Sequence, residues 1–253
     1  MRDGVARFDE VTYAVVPGFR PLVLDVWVPP APSPPPVVVW VHGGAWREGD
    51  RRWLPPTMGP ESLYTKIVAA GLALVTVDYR LSGEAPFPAP LHDVQAAIRY
   101  VRRHAASFGV SPARLGIGGE SAGAHLAALA AFGPDAVDCA VLWYGMFDLR
   151  GIPLAGDDVL RPLLGGTEPE RADRASPLAH VPSDAPPVLL LHGDADTVVP
   201  YSQSERLHEA LSSAGRSSEL VRVPEAEHCF DGYPDIDALL DRSVAFWREH
   251  LTR

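Results

Sequence analysis

Residues 114–131 read RLGIGGESAGAHLAALAA. Leu115 and Ile117 read as the end of a strand, and Ala122 to Ala131 as a helix of small residues. Between them stands Ser121, with Gly119 two residues before it and Gly123 two residues after. A hydroxyl at such a corner has two readings. One is a turn that needs glycines for its backbone angles. The other is a nucleophile carried on a strained strand-to-helix bend, flanked by glycines because larger side chains would clash. The helix that follows adds a partly positive backbone field at its N-terminus.

Outward from this corner the same grammar recurs. VVVWV (37–41), LALVTVDY (72–79), CAVLWYG (139–145) and PVLLLHG (187–193) are short, mostly apolar runs. Such runs suit strands covered on both faces, as in a parallel sheet. ELVRV (219–223) reads as a last, more exposed strand. Helical stripes separate these runs: Leu91, Val94, Ile98 and Val101, then residues 201–214 closed by Gly215, then Ile236, Leu240, Val244, Trp247 and Leu251. Upstream, LVLDVWV (22–28) places Leu22, Leu24, Val26 and Val28 on one face, the pattern of a half-buried antiparallel strand, with VTYAVV as its hairpin partner. PPAPSPPP (29–36) is an extended connector that cannot join a central strand. Residues 148–185 break the rhythm, with one short stripe at Val159, Leu160, Leu163 and Leu164, and read as a small lid-like excursion. The expectation is a single α/β domain over residues 1–253. Its sheet is doubly wound and mostly parallel, with an N-terminal antiparallel hairpin.

The 253 residues carry a net charge of −10, which argues against a nucleic-acid or anionic-membrane surface. Cys139 and Cys229 are too few for a disulfide framework and fit a reducing compartment. The N-terminal MRDGVARFDEVTYAVV holds acids and no apolar core of a signal peptide. No apolar run approaches the roughly 18 residues of a membrane span. A cytoplasmic protein is expected.

Three further segments fit the chemistry of a serine nucleophile. VVVWVHGGAW (37–46) runs a buried strand into His42, Gly43 and Gly44, whose backbone amides are unshielded. Acyl transfer forms an oxyanion, and the amides of Gly43, Gly44 and Ala122 are the candidate donors; losing one such donor costs roughly 3 to 4 kcal/mol. The competing reading of this segment is an ordinary glycine turn. LLLHGDADTVVP (189–200) ends a strand at His192 and Gly193 and carries Asp194 and Asp196 on the loop beyond, where an acid orients an imidazole. The alternative, a metal cluster of His192, Asp194 and Asp196, has no further His or Cys at ligand spacing. VPEAEHCF (223–230) places His228 on a polar loop before the last helix. Serine, then acid, then His228 is a triad order in which histidine frees serine of its proton and the carboxylate fixes the imidazole. No cofactor or metal is required.

HGGAW, VDYRLSGEAPFPAPLHDV, GESAGAHLA and HGDADTVVP resemble the α/β-hydrolase esterases, across nearly the whole chain. The similarity is to bacterial carboxylesterases related to the hormone-sensitive lipase group, to feruloyl- and acetylxylan-esterase-like proteins, and to arylformamidases. It implies that the acid is Asp196 rather than Asp194. The hormone-sensitive lipase group has three glycines after the histidine, whereas Ala45 and Trp46 follow two here. That departure is closer to the feruloyl-esterase-like and arylformamidase groups. A dienelactone hydrolase would want cysteine where Ser121 stands.

Trp46, Tyr144 and Phe147 are candidate pocket walls, since open α/β sheets place ligands at the strands' C-terminal ends. His125 reads as a packed helix histidine. Glu120 reads as a buried carboxyl bonded to local backbone or to an arginine, with Arg80 a candidate partner. The expected function is a serine carboxylesterase acting on small, short-acyl esters through an acyl-enzyme. The alternatives are an arylformamidase-type amide hydrolase acting on N-formyl arylamines, and a small-molecule binding protein without turnover.

Overall fold

The computed structural model describes residues 4–59, 62–150 and 159–252. Eight strands form one sheet: β1 (Ala6–Ala14), β2 (Leu22–Val28), β3 (Val37–Val41), β4 (Ala73–Val77), β5 (Leu115–Glu120), β6 (Cys139–Trp143), β7 (Val188–Gly193) and β8 (Ser218–Val223). Their spatial order is β1-β2-β4-β3-β5-β6-β7-β8. β1 and β2 form the antiparallel hairpin, β2 runs antiparallel to β4, and every later pairing is parallel. The helices are α1 (Ser62–Ala69), α2 (Ala89–Arg103), α3 (Ala105–Phe108), α4 (Ala122–Ala131), α5 (Leu160–Leu164), α6 (Pro169–Ala175), α7 (Ser202–Ser213) and α8 (Ile236–Leu251). This is the expected doubly wound α/β sheet. Of the excursion at 148–185, residues 151–158 lie outside the described residues, and the rest contains α5, α6 and a 3₁₀ turn at Pro177–His180.

Alternation along each strand feeds two cores. Val37, Val39 and Val41 point with Val75, Val77, Val94, Ile98 and Leu207 into the layer of α2, α4 and α7. Val38 and Trp40 point with Leu63, Trp143, Leu240 and Trp247 into the layer of α1 and α8. The second layer centres on three tryptophans: Trp40 meets Trp143 edge-on at 4.7 Å and Trp247 at 6.3 Å between ring centroids. Space for these rings comes from β5, whose inner positions on that face are Gly116 and Gly118.

One expectation for the hairpin needs correction. β2 is buried on both faces, not half-buried. Its second face carries Asp25, which accepts from Arg51 Nε at 2.9 Å, Arg52 Nε at 2.7 Å and the Glu10 N–H at 2.7 Å. Trp27 on the same face lies 5.3 Å from the Tyr64 ring. The loop after β3 folds over this face, so a charged residue in the alternation marks a buried ion pair and not solvent.

A methyl at Gly118 would stand 2.5 Å from Trp247 Cζ2 and 3.1 Å from Trp40 Cε3. Gly118→Ala is therefore expected to destabilise the fold by roughly 1–3 kcal/mol through overpacking. Urea denaturation measures this, and an unchanged midpoint would refute the packing argument.

Candidate active site

Parallel register brings the C-terminal ends of four strands to one edge. Val41 of β3 pairs with Gly119 of β5, Glu120 with Trp143 of β6, and Trp143 with Leu191 of β7. The residues just beyond these ends therefore converge, although they are far apart in the chain.

Ser121 is the turning point. Its φ of 52° lies in the left-handed region, uncommon for a residue with a side chain, and α4 begins at the next residue. Its N–H is held by Trp143 O at 2.9 Å. The flanking glycines are required by contact. A Cβ on Gly123 would lie 2.1 Å from Val41 O, and one on Gly119 would lie 2.6 Å from the Gly123 backbone. The first turn of α4 thus rests directly on the end of β3.

Ser121 Oγ lies 3.1 Å from His228 Nε2, and His228 Nδ1 lies 2.7 Å from Asp196 Oδ2. Asp196 Oδ1 accepts from the N–H groups of Val198 and Val199 at 2.9 and 2.7 Å. Burial alone would raise the Asp196 carboxyl. Hydrogen bonds from His192, His228 and Val199 outweigh burial and hold it well below the usual carboxylate range. Asp194 faces elsewhere, accepting from Arg222 Nε and from the Glu225 N–H, both at 2.7 Å. His192 is fully buried. It donates from Nε2 to Val199 O at 2.9 Å and accepts the Ser204 hydroxyl at Nδ1 at 2.7 Å. It braces the acid's loop.

The loop of His228 is tied to the loop of Asp196. Glu227 Oε2 accepts from both the N–H and the hydroxyl of Thr197 at 3.0 Å, and Ala195 N–H donates to Ala226 O at 3.2 Å. The Tyr144 ring stands edge-on to the His228 imidazole at 4.9 Å.

The loop after β3 is held from beneath. His42 donates from Nδ1 to Gly43 O at 2.8 Å and stacks on Tyr79 at 4.3 Å between centroids. Burial pushes the imidazole down to about 4, so it is neutral. The Tyr79 hydroxyl lies 3.0 Å from His42 O and 3.1 Å from Gly43 O. Gly43 departs from expectation: its N–H donates to Glu120 Oε1 at 2.8 Å, which removes it from the set of free amides. The N–H groups of Gly44, Ala45 and Ala122 have no acceptor among the described residues. Gly44 and Ala45 are also partly exposed.

The three candidate pocket walls are corrected by burial. Trp46 is 2% exposed, and Tyr144 and Phe147 are fully buried. Trp46 turns inward, and its indole N–H donates to His125 Nδ1 at 3.1 Å. His125 in turn donates from Nε2 to Ala175 O at 2.6 Å, and burial pushes it down to about 4. It is a packed histidine linking the β3 loop, α4 and α6. Phe147 packs in the core while its N–H donates to Gln203 Oε1 at 2.8 Å. Side chains past strand ends can fill the angle between sheet and helices, and these three do so. Arg80 is not the partner of Glu120; it forms a two-pronged pair with Asp93 at 2.8 and 2.7 Å.

Sequence reading passed over Tyr79 and the bracing role of His192. Both stand at the end of an apolar strand run on the same edge as the nucleophile, and that position was the available signal. Among the described residues no group of three or more His, Cys, Asp or Glu side chains is arranged to hold a metal, and no helix is long and apolar enough to cross a membrane.

A mostly parallel eight-stranded sheet with a strained serine between β5 and α4 defines an α/β hydrolase. The chain belongs to the BD-FAE family, whose model matches residues 24–211. It is 34% identical over 251 residues to esterase LipQ of Mycobacterium tuberculosis, covering 89% of this chain and 58% of LipQ. The chain spans a little over half the length of this and other curated mycobacterial relatives. Among solved structures it superposes on a truncated carbohydrate esterase from gut microbiota with a TM-score of 0.86 at 27% identity, covering 98% of this chain and 97% of that one. The butyrate-bound esterase Est2 of the planctomycete Thermogutta terrifontis gives a TM-score of 0.78 at 27% identity, covering 95% and 93% of the two chains.

Glu120 generates a testable pH effect. Burial raises its carboxyl from an ordinary 4.5 to about 7, against the lowering pull of the Gly43 N–H and of its neighbours His228 and Tyr144. Between those values the native state holds a proton that the unfolded chain has released, so its contribution to stability falls as pH rises through the window. The thermal midpoint of Glu120→Gln relative to wild type is expected to become more favourable between about pH 5 and pH 8. An offset that does not change with pH would contradict the raised ionisation.

Proposed function

We propose that this protein is a serine carboxylesterase that cleaves small, short-acyl esters through an acyl-enzyme. The observation that carries this reading is the hydrogen-bonded line from Ser121 through His228 to Asp196, at 3.1 and 2.7 Å. Ser121 Oγ attacks the ester carbonyl while its proton passes to His228 Nε2. Asp196, acceptor of the His228 Nδ1–H, fixes the tautomer and stabilises the imidazolium. The carbonyl oxygen becomes an oxyanion, received by the N–H groups of Gly44, Ala45 and Ala122. Collapse of the intermediate breaks the bond to the alcohol oxygen, which takes the proton from His228. Water then adds to the acyl-serine by the same proton path and releases the acid and Ser121.

The esterase names of the relatives support an ester over a formamide substrate. A binding role without turnover would leave the strained serine and the strongly bonded Asp196 without a purpose.

The direct test compares kcat/KM on p-nitrophenyl acetate and N-formylkynurenine, with Ser121→Ala as the blank. Turnover of the acetate is expected, and kcat should fall by roughly 10⁴ to 10⁶ in Ser121→Ala. Preference for the formamide would replace the ester reading, and retained activity in the serine variant would end both. The choice of acid is tested separately. Asp196→Asn should lower kcat by about 10⁴, while Asp194→Ala should stay within about threefold of wild type. Equal losses in the two variants would count against Asp196.

A further inference from the structure

We propose that Glu120 is a positioning residue for oxyanion binding: its buried carboxyl grips the Gly43 N–H and thereby aims the amide that follows, that of Gly44. The proposal rests on the esterase reading above and adds a residue to it.

The geometry runs through two peptide planes. The plane joining residues 42 and 43 is held at both ends, by the Tyr79 hydroxyl 3.0 Å from His42 O and by Glu120 Oε1 2.8 Å from Gly43 N. The next plane begins at Gly43 O, which faces His42 Nδ1 at 2.8 Å and the Tyr79 hydroxyl at 3.1 Å. In a trans peptide the N–H points opposite the C=O. With Gly43 O turned onto the buried His42 and Tyr79, the Gly44 N–H is turned the other way, towards the partly exposed side of the loop. Tyr79 and His42 fix the carbonyl side of these two planes, and among the described residues Glu120 alone accepts from their amide side; the plane that follows is held separately, by the Arg47 and Glu48 N–H groups on Gly44 O at 3.0 and 3.1 Å.

Glu120 and Gly43 are matched in shape. A Cβ at Gly43 would lie 2.5 Å from Glu120 Oε1, so the carboxyl occupies the space that any side chain there would need. An unneeded carboxyl in this position would be costly, because Glu120 is 2% exposed and makes no ion pair with Lys or Arg among the described residues. It also neighbours the groups around the base: Cys229, and the buried Tyr144 ring that stands 4.9 Å from the His228 imidazole. One side chain, adjacent in sequence to the nucleophile, thus spans the gap between the serine corner and the loop that receives the oxyanion.

The test uses the purified full chain and p-nitrophenyl acetate near pH 8, with wild type, Glu120→Ala, Glu120→Asp, Glu120→Gln and the Ser121→Ala blank. Removing the grip should act on the transition state, lowering kcat by roughly 10²-fold with KM within about threefold. Glu120→Gln keeps an oxygen able to accept the Gly43 N–H and should recover kcat to within about tenfold of wild type. Glu120→Asp keeps a buried carboxyl but is one methylene too short, and should be as slow as Glu120→Ala. This comparison decides the matter even if the alanine variant fails to fold. A wild-type kcat in Glu120→Ala or Glu120→Asp would overturn the proposal, as would a glutamine variant as slow as the aspartate one. Wild type without Ser121-dependent turnover would overturn the esterase reading and the proposal together, which separates the two failures.

Discussion

The close approach of α4 to the end of β3 is the constraint on which the rest depends. Gly123 lies so near the carbonyl oxygens of Val41 and His42 that no side chain fits between them. That contact lets the helix start immediately beside β3, where Ser121 turns with a positive φ. The sheet's parallel register then sets everything else at the same level. The β3 loop, the serine, the end of β6 and the two loops after β7 and β8 meet because their strands end together.

Around this corner the polar groups are held by the fold itself. Thr197, Glu227, Ala195 and Ala226 join the loops that carry Asp196 and His228. Tyr79, His42 and Glu120 hold the loop after β3. Donors and acceptors fixed in advance do not have to reorganise as charge develops, which is where such sites gain most over water. The cost is carried as buried polar groups, of which Glu120, with its raised ionisation, is the clearest.

The same loop after β3 also carries a structural burden. Arg51 and Arg52 reach down to Asp25, and Arg51 N–H donates to Asp78 Oδ1 at 2.8 Å. Asp78 stands beside Tyr79, so the ion pairs that cover β2 and the hydroxyl that braces the β3 loop belong to one continuous segment. The ion pairs of the hairpin edge and the brace of the free amides thus start from neighbouring residues, Asp78 and Tyr79.

The strand runs, the helical stripes and the serine corner were legible in the sequence because each is a local pattern: apolar continuity, a 3.6-residue period, glycines at fixed offsets. The order of serine, acid and histidine was legible for the same reason, since each lies just beyond a recognisable strand. Which partner each polar group takes was not. Gly43 belongs to Glu120, Arg80 to Asp93 and Trp46 to His125 through contacts between residues 13 to 79 positions apart. Tyr144 and Phe147 looked like pocket walls from their place at a strand end, and only packing revealed that they face inward. Sequence by itself determined the α/β alternation and marked Ser121, His228 and two acids, Asp194 and Asp196, as candidates. The tertiary structure decided which amides stay free and which side chains merely hold them, because burial and close contact are properties of surfaces that meet only when the chain has folded.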